Sequence, residues 1–292
     1  EAGRAAEADQ LLGALVGELQ AAFGTSDHPA IGDALMNQGS ARFAHGDRAG
    51  GLALERRALA VFERLGASAE RDRLQARTNI AAMLEALGEV DRAQAELEAL
   101  LADVERVFGH DHALTVAVVE NLGRFHEHQQ RLDDALARYR DALARALRRG
   151  PDSAEIAGLR WNLGSIYTQA GRPREAIPEL EAALAIHTAM SGPDGVEASD
   201  ARAELGRCRV DAGDPRGAIV ELERALAVYD VTAGQQQSSG MYRTALAQAY
   251  WALGQRARAG QLAAEARSWL TPLGPDGADA LAELADWERT RR

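Results

Sequence analysis

Six evenly spaced positions constrain this chain more than any other feature. Glycine, or once glutamine, stands at Gly46, Gly88, Gln130, Gly171, Gly213 and Gly254, in steps of 42, 42, 41, 42 and 41 residues. Five residues beyond each marker lies a small residue: Gly51, Ala93, Ala135, Ala176, Ala218 and Ala259. Seven before each lie Gly39, Ala81, Gly123, Gly164, Gly206 and Ala247, and twelve beyond lie Ala58, Leu100, Ala142, Ala183, Ala225 and Ala266. Small residues at fixed offsets let neighbouring helices approach closely, and Leu, Tyr and Ile fill the space between. Two helical segments per period, repeated at this length, define an array that grows in one dimension. The 292 residues would otherwise suggest about two domains.

Composition agrees. Hydrophobic residues make up 46% of the chain but aromatics only 5%. Ala and Leu, both good helix formers, supply most of the apolar content, so an all-helical chain is expected. Six units follow, with helices near 31–44 and 48–65, 71–87 and 90–107, 113–129 and 132–148, 153–169 and 173–190, 196–211 and 215–231, and 239–252 and 256–270. Leu159–Leu184 is the best-preserved copy. Pro173 and Pro215 suit the first turn of a helix, where a missing N–H costs little. Pro178 lies further in and predicts a mild kink. Residues 1–24 fit the second half of a unit whose first half is absent, which suggests a longer parent chain. Residues 272–292 form a C-terminal cap and tail, ending in Arg289, Thr290, Arg291 and Arg292. No interdomain linker is evident, and Thr232–Gly240 is the expected flexible loop.

Gly in the first helix, Ala early in the second and Ala-Leu later in it resemble the tetratricopeptide repeat (TPR). The period near 42 is similar to the kinesin-light-chain-like subclass. That subclass favours Gly-x-x-His-Pro between repeats; here the loops begin at Gly24 (with His28 and Pro29), Gly109 (with His112), Gly150-Pro-Asp152 and Gly192-Pro-Asp194. The resemblance implies an all-α, right-handed α-solenoid of six TPR helix pairs, with a half-repeat before it and a capping helix after it. It implies a non-catalytic scaffold that binds a peptide or partner domain in a concave groove lined by the first helix of each pair. Two other readings stand beside it. One is a regulatory segment of a larger bacterial signalling enzyme, since similar arrays follow serine/threonine kinase domains. The other is a structural self-association module.

On the groove face, two positions before each small residue of the first helix, stand Asn37, Asn79, Asn121 and Asn162, followed by Glu204 and Ala245. Asn carries a donor and an acceptor. A file of them can hydrogen-bond an extended peptide backbone, or can tie neighbouring helices together. Around it lie Met36, Phe43, Glu85, Glu120, Arg124, Glu127, His128, Trp161, Arg207, Asp211 and Trp251. Trp161 and Trp251 are candidate anchors, because aromatics and Arg dominate binding hot spots. Trp251 is also a candidate for ordinary packing. Acidic residues outnumber basic ones here, which suits a partner of basic character. A ligand is expected to contact the third and fourth units and to lose its backbone partners at Glu204.

Other chemistries are disfavoured. The net charge is −11, from 44 acidic and 33 basic residues, which argues against general nucleic-acid or anionic-membrane binding. Every one of the 33 is Arg, so the paired lysines that clamp a C-terminal carboxylate in some TPR domains are missing. His126 and His128, like His110 and His112, are two apart and diverge on a helix, so no metal or other cofactor is expected. There is no phosphate loop or nucleophile elbow. The single Cys208 excludes an intrachain disulfide and suits the cytoplasm. No apolar run reaches membrane-spanning length.

Overall fold

The computed structural model describes residues 2–151, 153–232 and 234–290, with only the backbone of residues 2–6. Asp152 of the Gly150 loop, Ala233, Arg291 and Arg292 lie outside the described residues. Among those described there are fourteen α-helices, two short 3₁₀ turns and no strand. The helices are α1 (Ala2–Phe23), α2 (Pro29–Ala44), α3 (Arg48–Leu65), α4 (Glu70–Ala86), α5 (Val90–Phe108), α6 (Ala113–His128) and α7 (Leu132–Leu147). They continue with α8 (Ala154–Gln169), α9 (Pro173–Ser191), α10 (Val196–Asp211), α11 (Pro215–Tyr229), α12 (Gln236–Ala252), α13 (Arg256–Leu270) and α14 (Ala278–Arg289). Predicted and observed ends agree within three residues. The largest difference is at α12, which starts at Gln236, so the second half of the expected 232–240 loop is helix. Helix α9 runs through Pro178 without interruption.

The evenly spaced glycines are helix-ending corners. Gly46, Gly88, Gly171, Gly213 and Gly254 have φ between 69° and 109°, and Gln130 adopts 57°. This left-handed region suits Gly and strains a residue with a Cβ. At Gly88 the corner is a double cap. The Gly88 N–H donates to Glu85 O at 2.8 Å and the Glu89 N–H donates to Leu84 O at 2.9 Å. Gly171, Gly213 and Gly254 repeat this pair of bonds, which occupies carbonyls the helix leaves open. A second file of left-handed glycines ends α1, α3, α5 and α9, at Gly24, Gly66, Gly109 and Gly192.

The loop histidines have a structural task. His28 Nδ1 accepts from the Ala30 N–H at 3.2 Å, and its ring stacks on Phe23 at 3.7 Å. His112 does the same for Leu114 at 3.2 Å and stacks on Phe108 at 4.8 Å. Each therefore joins the end of one helix to the start of the next.

The chain divides into two compact bodies, Glu1–His128 and Gln129–Arg292. The border falls between α6 and α7, inside the third expected unit. In the N-terminal body each helix packs on its sequence neighbours, α1 on α2 through to α5 on α6. Ile31, Leu35, Leu54 and Phe62 fill one core, and Ile80, Leu84, Leu97, Leu122 and Phe125 another. In the C-terminal body the same order runs from α7 to α13, and α14 packs on α12 and α13. Leu222, Tyr229, Tyr242, Leu246, Leu262 and Leu284 form its core. The small residues mark close approaches. A Cβ on Gly51 would lie 2.7 Å from Gly39 O, and one on Gly206 would lie 2.6 Å from Leu222 Cγ.

Candidate functional site

In the N-terminal body the first helices of three successive pairs, α2, α4 and α6, carry Asn37, Asn79 and Asn121. Two cavities open on these helices. One of about 370 Å³ lies on α4 and α6, lined among others by Gln75, Thr78, Asn79, Glu85, Asn121 and His128. Arg124 and Phe125 also border it. The other, about 270 Å³, lies on α2 and α4, between Ser40, Phe43, Ala44, Asn79, Ala82 and Met83. Asn79 and Ala82 belong to both.

The three asparagines of this body have different surroundings. Asn37 is exposed on α2. Asn79 is half-buried: its Nδ2 donates to Glu55 Oε1 at 2.7 Å, and Gln75 Nε2 donates to its Oδ1 at 2.8 Å. Asn121 donates from Nδ2 to Thr78 Oγ1 at 3.5 Å and accepts from Arg124. His128 Nδ1 and Glu85 approach to 3.4 Å. Glu120 and Glu127 are half-buried and Arg124 is exposed. Met36 packs against the α2–α3 core.

Glu55 of α3 is wholly buried. Burial pushes its carboxyl up from the ordinary 4.5 to about 7, and the Asn79 bond draws it partly back. Its Oε2 has no hydrogen-bond partner.

In the C-terminal body, Trp161 and Asn162 are half-buried on α8, and the Trp161 indole N–H is buried without an acceptor. Glu204 takes the next Asn position on α10. It is buried at 4% exposure, pairs with Arg207 and accepts from the Tyr242 hydroxyl at 3.5 Å. Arg207 thus has its charge met within its own helix. Asp211, at the exposed end of the same helix, has its carboxyl raised by partial desolvation while Arg207 opposes the rise. Trp251 packs edge-to-face on Trp287 of α14 at 6.1 Å, with the Arg256 guanidinium 5.2 Å from its ring centre. Asn121 and Asn162 fall in different bodies.

Sequence reading missed a second column. Eleven residues before the corner glycine stand Arg77, Arg160 and Arg202. Each reaches a Glu nineteen residues on: Glu96 at 2.6 Å, Glu179 at 2.6 Å and Glu221 at 3.0 Å. The recurrence of Arg at one offset and Glu at another was the available signal. Glu55 was also legible as an acid in a column otherwise held by Leu97, Tyr139, Leu180, Leu222 and Ala263.

Among the described residues no group of His, Cys, Asp and Glu is placed to hold a metal, and no helix is long and apolar enough to cross a membrane. The Cys208 thiol donates to Pro173 O at 3.1 Å and is raised by burial.

Paired helices with glycine corners and close-packed small residues define a helical-repeat protein of the protein-interaction class. The model of the tetratricopeptide repeat matches residues 72–148 and 152–230, more than half of the chain, which therefore belongs to that family. Solved structures share the fold. BtubC (BKLC) from P. vanneervenii superposes with a TM-score of 0.69 at 21% identity, covering 77% of this chain and 91% of its own. A P. anserina protein of nearly identical TPR-like repeats, named for the kinesin light chain, gives 0.59 at 22% identity, covering 70% and 97%. PilF of Pseudomonas aeruginosa gives 0.55 at 18% identity, covering 86% and 97%. No curated protein matches the chain by sequence.

Proposed function

We propose that this scaffold binds an extended peptide or partner segment across the α2, α4 and α6 face of its N-terminal body. The observation that carries the reading is the pair of adjacent cavities sharing Asn79 and Ala82. The α2–α4 cavity, walled by Phe43, Ala44 and Met83, suits an apolar side chain. The α4–α6 cavity offers Asn121, Glu85 and Thr78 to polar groups. The amides of Asn37 and Gln75, exposed on this face, can meet a peptide backbone without demanding a sequence. Glu85, Glu120 and Glu127 favour a ligand with some positive charge. A preformed groove leaves most of the ordering cost on the ligand. Helix α1, packed on α2, takes the part of a lone second helix, and α14, covering Trp251, that of a cap.

The test is a peptide-library screen on the wild-type chain and on Ala82→Trp. Ala82 is exposed and lines both cavities, so the indole fills them without entering the core. Library binding is expected to fall at least about tenfold, the loss of about 1.4 kcal/mol. Binding unchanged in Ala82→Trp refutes the groove reading. Binding that also weakens with added salt supports a basic ligand.

A further inference from the structure

Glu55 occupies a position that the repeat reserves for packing. Four residues beyond the small residue of each second helix stand Glu55, Leu97, Tyr139, Leu180, Leu222 and Ala263. Across from Glu55, Gly39 leaves the space its carboxyl takes. A Cβ there would lie 3.1 Å from Glu55 Oε2 and 2.9 Å from Gly51 O.

Among the described residues no charged side chain is turned toward this carboxyl. From α2, Arg42 reaches Asp9 and Asp47, and Asp33 faces Asp72 of α4. From α4, Arg73 pairs with Glu70, Arg77 with Glu96 and Asp103, and Glu85 with His128. On α3 itself, Arg48 donates to Ala86 O, while Arg56 and Arg57 are exposed. Among the described residues, the side chain that hydrogen-bonds Glu55 is the Asn79 amide, and Asn79 lines both cavities of the groove.

A carboxylate can only accept hydrogen bonds. It therefore admits Asn79 one way round, with Nδ2 toward Glu55 and Oδ1 toward Gln75. A neutral carboxyl can also donate, so the reversed amide then fits as well. We propose that Glu55 is a positioning residue for the groove: its carboxylate fixes which way round Asn79 presents its amide to the two cavities, and its protonated form releases that choice. The consequence for binding rests on the groove reading above. Burial places the changeover at about 7.

The experiment follows the Asn79 side-chain amide of the full chain by NMR, assigned through its loss in Asn79→Ala, across a pH series spanning that midpoint. Its two N–H resonances are expected to shift with a single neutral midpoint in the wild type and to stay flat in Glu55→Gln. A flat wild-type response, or a titration unchanged in Glu55→Gln, overturns the proposal. Should Glu55→Gln fail to fold, the Glu55 carboxyl ¹³C titration in the wild type decides, since a midpoint different from that of Asn79 also overturns it. With a peptide taken from the library screen, wild-type affinity is expected to fall about twofold on acidification, the cost when half the molecules carry a reversed amide. Glu55→Gln is expected to lose this pH dependence. An amide that titrates without any change in affinity overturns the positioning role and leaves the groove reading standing. Failure of every peptide to bind refutes the groove reading alone, because the amide titration needs no ligand.

Discussion

Replacing Glu55 with Gln should stabilise the N-terminal body at alkaline pH and leave it almost unchanged at acid pH. In the unfolded chain this carboxyl titrates at its ordinary 4.5, while burial in the folded chain raises it to about 7. Between those values the folded state holds a proton that the unfolded state has lost. Wild-type stability contributed by this site is therefore full below 4.5, declines as pH rises, and is lost above 7. The interval, at about 1.4 kcal/mol per pH unit, amounts to about 3 kcal/mol. Gln has nearly the same shape as the protonated acid and does not titrate. The stability difference between Glu55→Gln and wild type should therefore grow by about 3 kcal/mol from acid to mildly alkaline conditions. Native-state hydrogen exchange of α2, α3 and α4 amides is the suitable assay, because repeat arrays need not unfold in a single step. A difference independent of pH refutes the reasoning. So does a wild type that gains on the variant as pH rises.

Three further outcomes are expected. Gly39→Ala should cost about 1–3 kcal/mol, because its Cβ would press on the Gly51 carbonyl and on the Glu55 carboxyl, and thermal unfolding would measure the loss. Gln130→Gly should raise stability by about 1 kcal/mol, since a residue with a Cβ is held at φ 57° there, and a rise in urea midpoint would show it. Arg243→Met should destabilise the C-terminal body by about 2 kcal/mol, leaving the partly exposed Asp230 and Glu265 without their buried partner; loss of exchange protection in α12 would report it.

The architecture was legible because backbone geometry leaves a direct mark on sequence. A left-handed corner selects Gly, and a close helix approach selects Gly or Ala, so both recur at fixed intervals regardless of partner. The helix ends followed from those marks and from Pro173 and Pro215. The face carrying the cavities was legible only in outline. The Asn column was visible, but Asn37, Asn79 and Asn121 are chemically alike and differ in what stands opposite them. Asn79 meets an acid of the preceding pair, Asn121 meets Thr78 and Arg124, and at Glu204 the column is replaced by a buried carboxylate paired with the partly exposed Arg207. Such cross-helix partners depend on packing that a single-column reading does not contain. Trp251 is similar: its neighbour Trp287 lies in a segment outside the repeat register, so periodicity could not pair them.

The Arg77–Glu96, Arg160–Glu179 and Arg202–Glu221 pairs each close within one helix pair. Their charges are settled before any neighbouring pair is considered. A repeat cut in the loops between pairs can then be copied or excised as one block of genetic material without separating these three sets of partners. Unequal recombination could lengthen or shorten such an array by whole periods, and selection would then have the seams between pairs to repair, including polar bridges such as Glu55–Asn79 and Arg209–Glu181.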